Sequence, residues 1–259
     1  MVKGLYTAYT GMINEQHRMD TLTNNLANST TVGFKKEGTT SQSFDAVLAL
    51  KVKDTSEPAN IPKRIGYNNP GVKIGENYTD YSQGSFKITD NTYDLALSGD
   101  GFFEIEFTNK AGETSTKYTR DGSFTLTQEG YLVTKDGNYV MGVNGRIQLD
   151  PLQDTSIDNQ GVITQNGVTR GTIKVVDFAD YNYLKKYGEN LLEPVEGAEL
   201  TDADCKVFSG YLEMSNVQIV TEMVDLIAIT RQYEANQKII KSIDSTLEIA
   251  ANQLGRVQG

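Results

Sequence analysis

The chain has 259 residues, 38% of them hydrophobic, with 34 Asp+Glu against 24 Lys+Arg and a formal net charge of -10. That length can bury a sizeable core, and the acid excess argues against a general nucleic-acid binder or a polybasic membrane anchor. One cysteine (Cys205) and one histidine (His17) exclude an intrachain disulfide, a multi-cysteine metal site and clustered-His ligation, and no run of about 18 apolar residues marks an integral membrane segment.

The start of the chain, Met1 to Thr7, lacks the apolar stretch of a secretory signal. An amphipathic helix is predicted from about Gly4 to Asn28: Leu5, Met12, Met19 and Leu26 recur every seven residues, and Tyr9, Ile13 and Leu22 widen the stripe. Asn28-Ser29-Thr30-Thr31 continue a helix poorly, and Gly33 follows. Residues 35–80 are expected as a connector, irregular over 54–75, where Pro58, Pro62, Pro70, Gly66, Gly71 and Gly75 gather. Within it, Ser43 to Leu50 fits a short helix or a strand.

From about Tyr81 to Gly210 the pattern is β. Asp100-Gly101, Asp121-Gly122, Asp136-Gly137, Asn144-Gly145 and Asn166-Gly167 suit hairpin turns because these residues tolerate positive φ. Strand-like runs lie between them, at 94–97, 102–107, 123–126, 131–134, 139–143 and 172–178. The last segment is the longest predicted helix, with Ser215-Asn216 as its expected cap. Ile219, Leu226, Tyr233, Ile240, Leu247 and Leu254 form a seven-residue repeat, and Glu222, Ile229, Asn236, Ile243 and Ala250 fill the second seam slot. At roughly 40 residues it would span about 60 Å, too long for one small domain to cover. The fold class expected is α+β: long N- and C-terminal helices pairing as a coiled coil, in a discontinuous axial-core segment (1–34 and 211–259), with an all-β domain (81–210) inserted between them.

Catalytic readings are weak. Gly99-Asp100-Gly101 runs into the strand-like Phe102-Phe103-Glu104-Ile105, not into a helix N-terminus, so a turn is expected there and not a phosphate site. Glu104 and Glu106 share a strand face, the only hint of a carboxylate pair. Asp90, Asp94, Asp100, Asp121 and Asp136 match no complete calcium loop. Cys205, beside Asp202 and Asp204, is expected to be unreactive. No cofactor or metal is expected.

The ends carry a resemblance. Asn25-Leu26-Ala27-Asn28 followed by Thr31-Val32-Gly33-Phe34-Lys35 resembles the N-terminal signature of bacterial flagellar basal-body rod and hook proteins. Gly210-Tyr211-Leu212-Glu213-Met214-Ser215-Asn216 is similar to that family's entry into its last helix, and Arg231 to Asn236 to its middle. Gln83 to Phe86, Asp94 to Phe103 and Tyr118 to Phe124 match in order as well. In length the chain is most similar to the distal rod protein or its close paralogue.

The resemblance implies a structural subunit, not an enzyme. Its partners would be copies of itself, other rod and hook proteins and the flagellar export apparatus. It would stand in the basal body, outside the cytoplasmic membrane, after signal-independent export, in a tubular shaft passing torque from motor to hook. Asn25, Asn28, Thr31, Gly33, Phe34 and Asn216 are the motif residues expected to matter. Gly33 would permit a reversal and Phe34 a buried anchor. The apolar repeats would pack between subunits, so the ends of an isolated subunit are expected to be poorly ordered or a marginal helix pair. Two other readings fit less of the sequence: a carbohydrate-binding or hydrolytic β domain with accessory helices, and another coiled-coil fibre protein.

Overall fold

The first helix, α1 (Val2–Ala27), runs unbroken because no proline interrupts it and its apolar positions keep a helical period. It stops where Asn28 turns the chain: the Thr31 backbone N–H donates to the Asn28 carbonyl, and the Thr31 hydroxyl to Asn28 Oδ1. The last helix, α2 (Ile219–Gly255), is 37 residues long. The computed structural model describes residues 2–51, 63–110, 112–188 and 190–255. Pro58, Pro62 and the side chain of Leu254 lie outside the described residues.

The chain divides into two units. The first comprises Met1–Ala27, Glu37–Asp80 and Gln218–Gly259. Within it the two helices pack antiparallel. Gly4 lies against Ile243, Gly11 against Asn236 and Asn25 against Glu222. Each step of seven along α1 is matched by a step of seven backwards along α2. A glycine inside a helix costs about 1 kcal/mol relative to alanine. Here Gly11 leaves room for the Asn236 side chain, since an added Cβ would lie 3.1 Å from its Nδ2.

Residues 35–80 were expected as a connector; of these, 37–51 and 63–79 instead form a ribbon of two strand pairs. Glu37–Ser43 pairs antiparallel with Val72–Thr79, and further out Val47–Lys51 pairs with Lys63–Asn68. The undecided stretch 43–50 is therefore strand, with a break between the two pairings. Two of the glycines that suggested irregularity, Gly71 and Gly75, serve close approach. A Cβ on Gly71 would lie 2.0 Å from Thr10 Oγ1, and one on Gly75 2.7 Å from Thr40 Oγ1. The ribbon lies along α1. Asn25 Oδ1 accepts from the Glu37 N–H (2.9 Å) while its amide donates to the Glu37 carbonyl (2.7 Å). Asn14, also buried, exchanges hydrogen bonds with the Ser41 hydroxyl.

The second unit comprises Asn28–Lys36 and Tyr81–Val217. Its centre is an antiparallel sheet of ten strands. Phe102–Thr108, the middle strand, pairs with Thr114–Thr119, Tyr139–Gly142 and Val175–Phe178. Residues 102–105 are buried on both sheet faces, which alternate along the strand. Phe103 and Ile105 point into the main core with Leu95, Leu97, Phe124 and Ile163. Phe102 points the other way, into a smaller core with Tyr118, Phe178 and Leu192. Each such side chain contributes about 1.5–3 kcal/mol of burial.

The predicted turns divide by role. Asn166 (φ 50) and Gly167 (φ 77) make the two-residue turn between Val162–Gln165 and Val168–Thr172. Asp136-Gly137 and Asn144-Gly145 also turn hairpins. Asp100-Gly101 and Asp121-Gly122 do not: the strands flanking each are not paired with one another. Gly122 instead gives room to a neighbouring chain, since a Cβ there would lie 1.7 Å from the Leu95 carbonyl oxygen.

Candidate functional site

Two constellations stand out, one in each unit. On the helix pair, the repeat positions Leu226, Tyr233 and Ile240 share the α2 side that holds the buried Glu222 and Ile229, and are themselves half-buried. Ile219 and Leu247 on the same repeat are 41% and 40% exposed. On α1, Gly4, Gly11 and Asn25 lie against α2, while Leu5, Met12, Met19, Leu22 and Leu26 are half-buried. The opposite side of α2 carries a stripe the seven-residue repeat did not reveal: Val220, Met223, Val224 and Ile227, all exposed. Their spacing of three, four and seven puts them on one face.

The second constellation is built around Glu213, fully buried in the short strand Tyr211–Glu213. Its Oε1 accepts from Lys35 Nζ at 2.7 Å and from the Gly84 backbone N–H at 2.9 Å. Its Oε2 accepts from Arg120 at 3.3 Å. Its backbone carbonyl accepts from the Gly33 N–H at 2.7 Å. Lys35 also donates to the Ser82 carbonyl, and Arg120 to the Gly99 carbonyl, with its guanidinium over the Phe102 ring.

Gly33 has φ +68 and stands so close to the Arg120–Asp121 backbone that a Cβ would lie 2.5 Å from Asp121 N. Gly84 is as tightly placed, 1.9 Å by the same measure from the Met214 carbonyl oxygen. Phe34 is buried beneath Lys186 Nζ, 4.5 Å from its ring centre. Asn190 holds the preceding Val32 carbonyl. Asn28 and Thr31, the remaining motif residues of this segment, shape the turn described above.

Asn216 does not cap α2, which begins at Ile219. Its side-chain oxygen accepts from the Lys36 N–H, and its amide donates to Ser82. The side chain is thus already engaged by two other segments. The predicted motif residues Gly33, Phe34 and Asn216 are thus brought together, while Asn25 serves the helix unit. Lys35, Arg120 and Glu213 were quoted within motifs but not singled out, because nothing in sequence shows that residues 178 and 93 positions apart share a carboxylate.

The residues weighed for chemistry are engaged elsewhere. Glu104 pairs with Lys174 at 2.9 Å, and Glu106 takes a two-pronged bond from Arg146. The Arg146 guanidinium holds the Glu106 carboxyl below its ordinary value. Asp121 accepts from Ser123 through both backbone and hydroxyl, yet burial raises its carboxyl. Burial likewise pushes the Cys205 thiol up, away from thiolate character. Among the described residues no group of three or more His, Cys, Asp or Glu side chains is placed to hold a metal, and no helix is long and apolar enough to cross a membrane.

Known families match most of both constellations, though Ser82, Gly84, Lys186 and Asn190 lie outside the matched stretches. Residues 5–35 match the profile described as flagella basal body rod protein, and 209–254 that of the flagellar basal body rod FlgEFG protein C-terminal region. Residues 96–165 match the flagellar hook protein FlgE/F/G D1 domain. The FlgG rod protein of Bacillus subtilis is 35% identical over 97% of this chain and 99% of its own length. The chain belongs to the flagellar basal-body rod protein family. FlgF of Caulobacter vibrioides is 34% identical over 99% of this chain and all of its own length. FlgG of Borreliella burgdorferi is 31% identical over 97% and 98% respectively. These relatives are named as basal-body rod proteins, members of a structural family not known to be enzymatic. The family's two terminal profiles cover α1 with its exit turn, and the strand before α2 with most of that helix.

Proposed function

We propose that the chain is a self-assembling structural subunit of the flagellar basal-body rod, whose helix pair packs against copies in neighbouring subunits to build a tubular shaft. The observation that carries this reading is the apolar stripe Val220, Met223, Val224 and Ile227, 47–76% exposed on a helix that already has an intrachain partner on its other side. A stripe of this kind marks an interaction surface, and one contact repeated with a rotation that does not close gives a filament. The half-buried repeat Leu226, Tyr233 and Ile240, the more exposed Leu247, and Leu5, Met12, Met19, Leu22 and Leu26 on α1 supply further area to the same packing. The helices would then pair as a coiled coil in the shaft, with the β unit as an outer layer. Other rod and hook proteins are the remaining partners, torque transmission the task, and a position beyond the cytoplasmic membrane follows export without a cleaved signal.

The test is Val224→Asp with Ile227→Asp. Both side chains are more than half exposed, so the subunit should fold. Negative-stain imaging of concentrated protein should show tubes for the parent chain and none for the double variant. Equal tube formation by both would remove the stripe from the interface.

A further inference from the structure

We propose that the Lys35–Glu213–Arg120 cluster is a positioning device, a clasp that selects the course of the chain where it enters and leaves the β unit and so fixes the lattice of the assembled shaft. This deepens the reading of the chain as a polymerising subunit and rests on it.

The chain crosses between its two units at residues 27–28, 36–37, 80–81 and 217–218. Three of these crossings have a clasp residue within two positions in sequence. Gly33 and Lys35 stand between the first two, Ser82 and Gly84 follow the third, and Glu213 and Asn216 precede the fourth. Lys35 ties Ser82 to Glu213; Asn216 ties Lys36 to Ser82; Glu213 ties Gly33, Gly84, Lys35 and Arg120. Three segments distant in sequence are thus closed by one carboxylate.

The choice of charge for this closure is informative. The side chains of Lys35, Arg120 and Glu213 are 5%, 4% and 0% exposed. A buried ion cluster is not an efficient source of stability, because apolar side chains of similar volume often hold a site at least as well. Ionic hydrogen bonds are directional, however. Glu213 bonds both cations and the Gly84 N–H only while the three segments keep one arrangement. Apolar replacements would keep the segments together without choosing among arrangements.

The experiment uses the full chain carrying Lys35→Met, Lys35→Arg or Glu213→Gln, with Ile163→Ala as a control that weakens the core away from the clasp. Hydrogen exchange is read at residues 28–36, 81–86 and 211–217, and tube diameter and helical symmetry by electron microscopy. Exchange in those segments should rise about tenfold or more in Lys35→Met and Glu213→Gln, with tubes that are curved or mixed in lattice. Lys35→Arg, which keeps the cation, should restore the parent lattice, and Ile163→Ala should leave it unchanged. Parent-like exchange and lattice in both clasp variants, or equal disturbance by Ile163→Ala, would overturn the proposal. A parent chain that forms no tubes would instead sink the polymer reading, and the exchange comparison would still decide whether the clasp orders the crossings.

Discussion

Gly33→Ala tests the exit turn most sharply, because two separate costs fall on one methyl group. At φ +68 a residue with a Cβ gives up about 1–2 kcal/mol. The added carbon would also stand 2.5 Å from Asp121 N and 2.6 Å from the Arg120 carbonyl carbon, both backbone. Neither can swing aside as a flexible side chain would, and Arg120 is held by Glu213. Relieving such overpacking adds about 1–3 kcal/mol, for a total of about 2–5 kcal/mol.

Gly137→Ala is the matched control, with φ +86 and no atom within 4 Å of the new carbon; it should lose only the first amount. The two-unit chain is not expected to unfold in one step. The assay is therefore urea-dependent hydrogen exchange of core amides in the strand Phe102–Thr108, which reads the β unit alone. If Gly33→Ala costs no more than Gly137→Ala, the close approach of Gly33 to the Arg120–Asp121 backbone does not constrain the fold, and the account of the turn is wrong.

Other expectations follow from the same geometry. Ile229→Ala removes a side chain buried on α2 and should cost the helix pair about 2–4 kcal/mol, read as faster exchange in α1 with the β unit unchanged. Leu226→Asp places a charge on the half-buried repeat and should abolish tubes while the β unit stays folded; tubes of normal yield would refute the packing assigned to that repeat. Asp121 has a raised folded pKa, so the folded state binds its proton more readily than the unfolded state. Its contribution therefore declines as pH rises from the ordinary aspartate value of about 3.9 towards the raised one, and stays unfavourable above it. Asp121→Asn should flatten that part of the β unit's stability curve, and an unchanged slope would show that burial does not govern this carboxyl.

The helices were legible because a seven-residue repeat survives without knowledge of what covers it. Their pairing surface was less so: Gly4, Gly11 and Asn25 all lie against α2, and glycine and asparagine carry no apolar signal. Residues 37–51 and 63–79 misled for a related reason. Gly71 and Gly75 look like chain breakers, yet they are small because Thr10 and Thr40 press on them. The strand Phe102–Thr108 was readable from its apolar run, whereas Thr114–Thr119, largely polar and half exposed, gave no pattern to read. At the clasp, Gly33 and Phe34 were flagged by residue type and local order. Glu213 and Arg120 were not, since a charged residue is ordinarily solvated and only the folded chain brings their partners within reach.

In the proposed shaft this subunit makes one contact with its own copies that propagates without closing. Electron microscopy of the purified full-length chain over a rising concentration series addresses it directly. Open tubes of constant diameter that lengthen with concentration are the predicted result. Particles that stay monomeric, or that stop at a closed trimer or ring, would contradict it.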